Sequence, residues 1–72
     1  MSIFYERLTE CRKSKTTQKE MAIYLGISER AYQHYEAGTR SPKIDVAGKI
    51  ADYLDVSVDY LLGRTDNPKI NH

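Results

Sequence analysis

The side chains of this sequence that could do chemistry are hydrogen-bonding groups rather than catalytic or metal-binding sets. There is no Ser-His-Asp set, no glycine-rich phosphate loop, and no acid and base placed to meet in a cleft. The two histidines, His34 and His72, lie too far apart for metal-ligand spacing, and the single cysteine, Cys11, cannot form an internal disulfide. We therefore expect no enzyme, no cofactor and no metal site.

A run of polar residues between positions 29 and 34 offers a different chemistry. Arg30 can donate two hydrogen bonds to O6 and N7 of guanine, and Gln33 can bond in a similar way to adenine. Glu29 can accept from N4 of cytosine, and His34 lies one helical turn after Arg30. A basic loop over residues 39–43 follows and offers cations to phosphates. The alternative is that these residues form a solvated helix face and a solubilising loop.

Length and charge restrict the classes of protein that can carry these residues. Seventy-two residues, 40% of them hydrophobic and 29% charged, suit one small globular domain. The net charge is only +1, but eight Lys and Arg accompany five Glu through Lys43, whereas one Lys accompanies four Asp from Ile44 to Leu62. Such a chain can still present a positive face to a polyanion. No apolar run has the length of a membrane span and no signal-peptide pattern opens the sequence, so we expect a cytoplasmic protein without membrane contact.

Apolar residues recur at helical spacing, and no stretch alternates as a strand does. The spacing predicts five helices, at about 3–15, 18–25, 29–37, 45–54 and 58–62. Capping residues mark helix starts and glycines mark helix ends: Ser2, Thr17, Ser28 and Ser57, then Gly26, Gly38 and Gly63. Thr17 and Glu20 form a capping box, in which the Glu20 side chain reaches back to the start of the helix. We expect one domain over residues 1–63 and a short frayed tail over 64–72.

Helices two and three are short, are joined by a glycine turn and so form a helix-turn-helix candidate. Three linked segments, Thr17–Ser28, Tyr35–Pro42 and Ile50–Gly63, together resemble the Xre-like, Cro and phage-repressor helix-turn-helix family. The resemblance covers residues 7–63. It implies an all-α, five-helix, lambda-repressor-like DNA-binding domain of a bacterial or phage transcriptional regulator. The chain departs from the family pattern in a shorter link over residues 13–16 and in Lys43, which replaces the usual Ser or Thr cap.

The resemblance also implies roles for individual residues. Helix three would lie in the major groove of double-stranded DNA, where its outer face matches the base-contacting positions of the family: Glu29, Arg30, Gln33 and His34. Residues at the start of helix two and in the loop after helix three would bind phosphates: Thr17, Gln18, Lys19, Arg40, Ser41 and Lys43. Arg12 and Glu36 would form a structural pair.

One module on one half-site is too weak to select an operator, so we expect a homodimer on a roughly palindromic site. A chain this short can occlude a promoter, which favours a repressor. Helix five is terminal and apolar, and the resemblance places the dimer interface at Val58, Tyr60, Leu61 and the tail. The alternative is a small protein-binding module, an antitoxin or anti-repressor partner, whose helix five and tail dock on another protein. The hypotheses differ over Arg30, whose replacement by alanine changes sequence preference only if Arg30 contacts a base.

Overall fold

The computed structural model describes residues 3–69, and the regular secondary structure within that range is entirely helical. Five helices follow one another: α1 Ile3–Lys13, α2 Gln18–Leu25, α3 Glu29–Ala37, α4 Ile44–Leu54 and α5 Val58–Leu61. The all-α, five-helix architecture predicted from the sequence is therefore confirmed. Ser2, the predicted cap of α1, lies outside the described residues.

Each helix contributes one fully buried large side chain to a common core: Leu8, Met21, Tyr32, Ile50 and Leu61. Burying an apolar side chain of this size stabilises a fold by about 1.5–3 kcal/mol. Because the five side chains belong to one cluster, no helix can leave the core without exposing one of them. The core thus fixes α2 and α3, the helix-turn-helix pair, against the other three helices.

The predicted start of α2 is present with one difference in its hydrogen bonds. The Thr17 hydroxyl accepts from the backbone N–H of Glu20 at 3.1 Å, as a capping residue does. The Glu20 carboxylate also reaches back, but it accepts from the Thr17 hydroxyl at 3.2 Å, whereas a capping box has it bond to the backbone. The single Thr17 hydroxyl thus acts as acceptor and donor at the same helix end.

Three helix bounds differ from the predicted ones by one or two residues. The first helix ends at Lys13 rather than near Lys15, because the N–H groups of Lys15 and Thr16 both bond to the carbonyl of Arg12, at 3.0 and 2.8 Å, and form a turn. The fourth helix begins at Ile44 instead of about 45. The fifth ends at Leu61, and residue 62 is its C-cap.

Both caps of α4 are residues that rarely occupy such positions. Lys43 is the N-cap and makes no side-chain capping bond, as the departure from the family pattern indicated. Asp55, the C-cap, has a φ of 57°. This left-handed conformation costs a residue with a Cβ about 1 kcal/mol relative to glycine. The loop between α4 and α5 therefore holds a strained aspartate.

Residues 64–69, which we expected to belong to a frayed tail, fold back towards α1. The Arg7 guanidinium donates to the backbone carbonyls of Tyr60 and Thr65, at 2.6 and 2.7 Å. It also forms an ion pair of 2.7 Å with Asp66 and lies 4.2 Å from the centre of the Tyr60 ring. One arginine of α1 thus holds the end of α5 and the segment that follows it. The division into domain and tail after residue 63 stays a prediction.

Candidate nucleic-acid interface

The candidate interface is built on the tight turn between α2 and α3. Gly26 takes a left-handed conformation there, with a φ of 72°, and Ile27 donates its N–H to the carbonyl of Ala22 at 3.1 Å. The Ser28 hydroxyl then accepts from the N–H of Ala31 at 3.0 Å and starts α3. These bonds end α2 and start α3 with only three residues between them. The orientation of the two helices relative to each other is therefore determined by local interactions.

The outer face of α3 carries all four residues predicted to contact bases: Glu29, Arg30, Gln33 and His34. All four are exposed, whereas Tyr32, on the inner side of the helix, is fully buried in the core. The side chains of Glu29 and Arg30 make no hydrogen bond or ion pair within residues 3–69, so the Arg30 guanidinium is available to a ligand. The structure places the four side chains together on one surface, and their contact with bases stays a prediction.

Beneath this face, the Glu36 carboxylate accepts hydrogen bonds from three different elements. Arg12 of α1 donates to both carboxylate oxygens, from Nε and Nη2, at 2.8 Å each. Tyr32 donates its hydroxyl from one turn earlier on α3, and Gln18 donates from Nε2 at 3.0 Å. The Glu36 side chain is only 6% exposed. The pair of Arg12 and Glu36 that the resemblance implied is thus the centre of a larger network that joins α1, α2 and α3.

The network changes the pKa values of its members. Burial raises the pKa of the Glu36 carboxyl, but the hydrogen bonds from Arg12, Tyr32 and Gln18 outweigh burial and lower that pKa to about 2. Burial, followed by the hydrogen bond to Glu36, raises the pKa of the Tyr32 hydroxyl. The hydrogen bond to Glu36 raises the pKa of Arg12. Glu36 is therefore a carboxylate at neutral pH and acts only as an acceptor.

Gln18 and Gln33 are linked, which the sequence analysis did not anticipate. The Gln33 amide donates from Nε2 to Oε1 of Gln18 at 3.3 Å. His34, one residue further along α3, has its own neighbour in Thr39, with 2.8 Å between Nδ1 and Oγ1. Two of the four residues predicted to contact bases are thus oriented by other side chains of the protein.

The six residues predicted to bind phosphates differ in what they already contact. The Thr17 hydroxyl is engaged as the cap of α2, and the Gln18 amide is bonded at both ends, to Glu36 and to Gln33. The other four are exposed and make no side-chain hydrogen bond within residues 3–69: Lys19, Arg40, Ser41 and Lys43. The loop after α3 therefore presents its cations to solvent beside the candidate base-contacting face.

No helix between residues 3 and 69 has the length and hydropathy that crossing a bilayer requires. The same residues contain no group of three or more His, Cys, Asp or Glu side chains arranged to hold a metal ion.

The sequence profile of the helix-turn-helix family matches residues 8–61, which form most of the chain. The chain belongs to the Xre/Cro-like helix-turn-helix family. Membership confirms the family that the linked segments of the sequence resemble, and the matched range includes all of α2 to α5. It indicates that the matched residues form a DNA-binding domain rather than a catalytic one.

Relatives from Bacillus subtilis and Vibrio cholerae agree with this assignment. The chain is 46% identical over 69 residues to the uncharacterized HTH-type transcriptional regulator YqaE of Bacillus subtilis, an alignment that covers 94% of this chain and 60% of the relative. It is 45% identical over 60 residues to the cryptic phage CTXphi transcriptional repressor RstR of Vibrio cholerae, covering 82% of this chain and 54% of the repressor. The chain thus spans little more than half the length of these relatives. No solved structure matches the chain at a significant level.

The structure corrects one residue of the interface expected for a helix-turn-helix dimer. Leu61 is completely buried in the core of its own protomer, so its side chain is not available to a partner. Val58 and Tyr60 are half-buried, and their place in an interface stays a prediction. The exposed apolar side chains at this end of the molecule are Leu62, 48% exposed, and Ile3, 39% exposed, whose methyl group lies over Gly63.

Sequence reasoning missed Arg7, although that residue makes the most hydrogen bonds to the C-terminal segment. Its partners are 53–59 positions away in the sequence, and two of them are backbone carbonyls, which carry no sequence signal. It also missed the ring contact of Tyr24 with Tyr53, whose centroids are 4.6 Å apart across α2 and α4. Both contacts depend on how helices pack, which local spacing does not encode.

Proposed function

We propose that this helix-turn-helix chain binds double-stranded operator DNA as a homodimer in the bacterial cytoplasm and acts there as a transcriptional repressor. The observation that carries the proposal is the exposed outer face of α3, on which the Arg30 side chain has no hydrogen-bond or ion-pair partner within residues 3–69. A helix of this kind, rigidly held and followed by a basic loop, fits the major groove. The names of the related regulator YqaE and of the phage repressor RstR support the same role.

The proposal divides the polar residues by task. Glu29, Arg30, Gln33 and His34 contact base edges and supply sequence preference. Lys19 and the cations of the loop over residues 39–43 contact phosphates and supply most of the affinity, which therefore falls steeply as salt rises.

The dimensions of the domain support the proposed dimer. Half-sites one helical turn apart place the two recognition helices about 34 Å from each other. The protomer measures 30 × 25 × 22 Å, so two copies on one face of DNA are close enough to touch. The apolar side chains at the end of α5 support an interface there, with Val58 and Tyr60 flanked by the exposed Leu62.

Selection of bound duplexes from a random pool, at near-physiological salt, tests the proposal. A repressor of this kind enriches a two-fold-symmetric motif, and its affinity for the best duplex falls steeply as salt rises. An unenriched pool with weak, salt-sensitive retention would contradict operator binding and would favour a module that docks on another protein.

Replacing Arg30 identifies the base that it contacts. On the selected operator, Arg30→Ala should reduce the discrimination at one base pair by a factor that corresponds to about 1–3 kcal/mol. Lys49→Ala removes an exposed cation of α4 and serves as the control, for which base preferences stay unchanged. If Arg30→Ala lowers the affinity for all sequences equally, Arg30 contacts a phosphate instead.

A further inference from the structure

The orientation of the Gln18 amide is determined by its buried neighbour. The two ends of a glutamine amide differ in chemistry, because Nε2 donates and Oε1 accepts. Glu36, a carboxylate held by Arg12 and Tyr32, can only accept, and Gln18 places Nε2 against it at 3.0 Å. The reverse orientation would bring two acceptor oxygens together. Oε1 of Gln18 must therefore face away from Glu36.

That outward oxygen in turn determines the orientation of Gln33. Oε1 of Gln18 accepts from Nε2 of Gln33 at 3.3 Å, and a reversed Gln33 amide would again oppose two acceptors. Gln33 is exposed on the outer face of α3. It is left with one Nε2 hydrogen and its Oε1, a donor beside an acceptor. In the major groove, adenine offers the complementary acceptor N7 and donor N6.

We propose that Glu36 and Gln18 are positioning residues that fix the Gln33 amide in the orientation suited to adenine, so that a buried carboxylate determines a base preference two side chains away. This inference rests on the proposed function and deepens it. It also changes the task of Gln18, which the family resemblance had placed on a phosphate. Both amide ends of Gln18 are already bonded within the protein, although Nε2 retains a second hydrogen.

The two tasks of Gln18 predict different results. Loss of a phosphate contact weakens binding to every sequence by the same factor. Loss of the positioning bond leaves Gln33 free to rotate and to reverse its amide. Discrimination between adenine and the other bases should then fall at the single base pair that Gln33 contacts, by about fivefold, the factor that one hydrogen bond contributes.

The experiment uses the full 72-residue chain and the operator obtained by selection. Gln33→Ala first identifies the base pair that Gln33 contacts. Dissociation constants are then measured for the four duplexes that differ only at this base pair. The proteins compared are the unmodified chain, Gln18→Met, Gln33→Ala and the double variant that carries both substitutions. Methionine retains the length of glutamine and removes both hydrogen-bonding ends. Lys19→Ala, the neighbouring residue on α2, is the matched control and should weaken all four duplexes equally.

The expected result is that Gln18→Met loses preference at the base pair of Gln33 and that the double variant loses no more than Gln33→Ala alone. An independent measurement on the free protein is the proton exchange of the Gln33 side-chain amide, which should become faster in Gln18→Met. Unchanged preference and unchanged exchange in Gln18→Met would overturn the positioning role alone. A selection that enriches no motif would overturn the proposed function and the positioning role together.

Discussion

Acidification should remove about 2 kcal/mol of folding stability through Glu36 alone. The pKa of this carboxyl is about 2 in the folded chain, against an ordinary value of 4.5. A lowered pKa means that the carboxylate stabilises the fold above about pH 4.5 and that this contribution is lost as the pH falls towards 2. At 1.36 kcal/mol per pKa unit, most of the loss, about 2 kcal/mol, occurs between pH 7 and pH 3. A domain of 72 residues has a total of only about 4–10 kcal/mol.

Urea denaturation at pH 7 and at pH 3 measures this contribution when it is compared between the unmodified chain and Glu36→Gln. The other carboxyl groups titrate in both proteins, so the difference between the two pH dependences belongs to Glu36. The variant should be less stable at pH 7, because Arg12 loses its charged partner, and it should lose about 2 kcal/mol less on acidification. Carbon NMR of the Glu36 carboxyl gives its pKa directly in the unmodified chain and does not depend on the folding of the variant.

Two results would refute this reasoning. Equal losses of stability on acidification in the two proteins would mean that Glu36 has the same pKa in the folded and unfolded states. A measured pKa near 4.5 would mean that the hydrogen bonds from Arg12, Tyr32 and Gln18 only offset burial.

Three further substitutions test other parts of the fold by chemical denaturation. Asp55→Gly should raise the free energy of unfolding by about 1 kcal/mol, because it relieves a left-handed aspartate. Asp52→Gly inside α4 should instead lower it by about 0.3 kcal/mol, and effects of the same sign at the two positions would contradict the strain. Arg7→Met should lower the free energy of unfolding by about 2–3 kcal/mol, because two carbonyls and one carboxylate lose a charged donor. A loss of less than about 0.5 kcal/mol would show that the contacts of Arg7 with the tail add no stability. Ser28→Ala should lower it by about 1 kcal/mol through the lost cap of α3, and an unchanged value would mean that water replaces the hydroxyl.

The sequence predicts the helix-turn-helix well because local chemistry determines it. The caps at Thr17 and Ser28 and the glycine at position 26 act over three or four residues, and all three have the predicted conformations or bonds. The bounds of helices are less predictable where no such residue is present. The end of α1 has no glycine within the helix or directly after it, and a turn around Arg12 ends the helix before the predicted residue.

The environment of individual side chains could not be predicted in the same way. Helical spacing gives Val58, Leu61 and Leu62 the same apolar character, and only packing shows that Leu61 is in the core while Leu62 is on the surface. The bond between Gln18 and Gln33 joins two helices through side-chain ends 15 positions apart. Its existence depends on the angle at which α2 and α3 pack, which the residues of the turn restrict but do not reveal.

The hydrogen bond from Tyr32 to Glu36 has a consequence for genetics. Tyr32 fills the core with its ring and holds Glu36, beneath the candidate base-contacting face, with its hydroxyl, so one side chain takes part in both folding and the proposed recognition. A screen for inactive alleles would recover substitutions at Tyr32 and Glu36 without showing which of the two tasks had failed. Tyr32→Phe separates them, because it retains the ring and removes only the hydroxyl. Such an allele would keep the packing of the core, lose only the stability that one hydrogen bond to a carboxylate supplies and, under the proposed function, be defective in choosing its site.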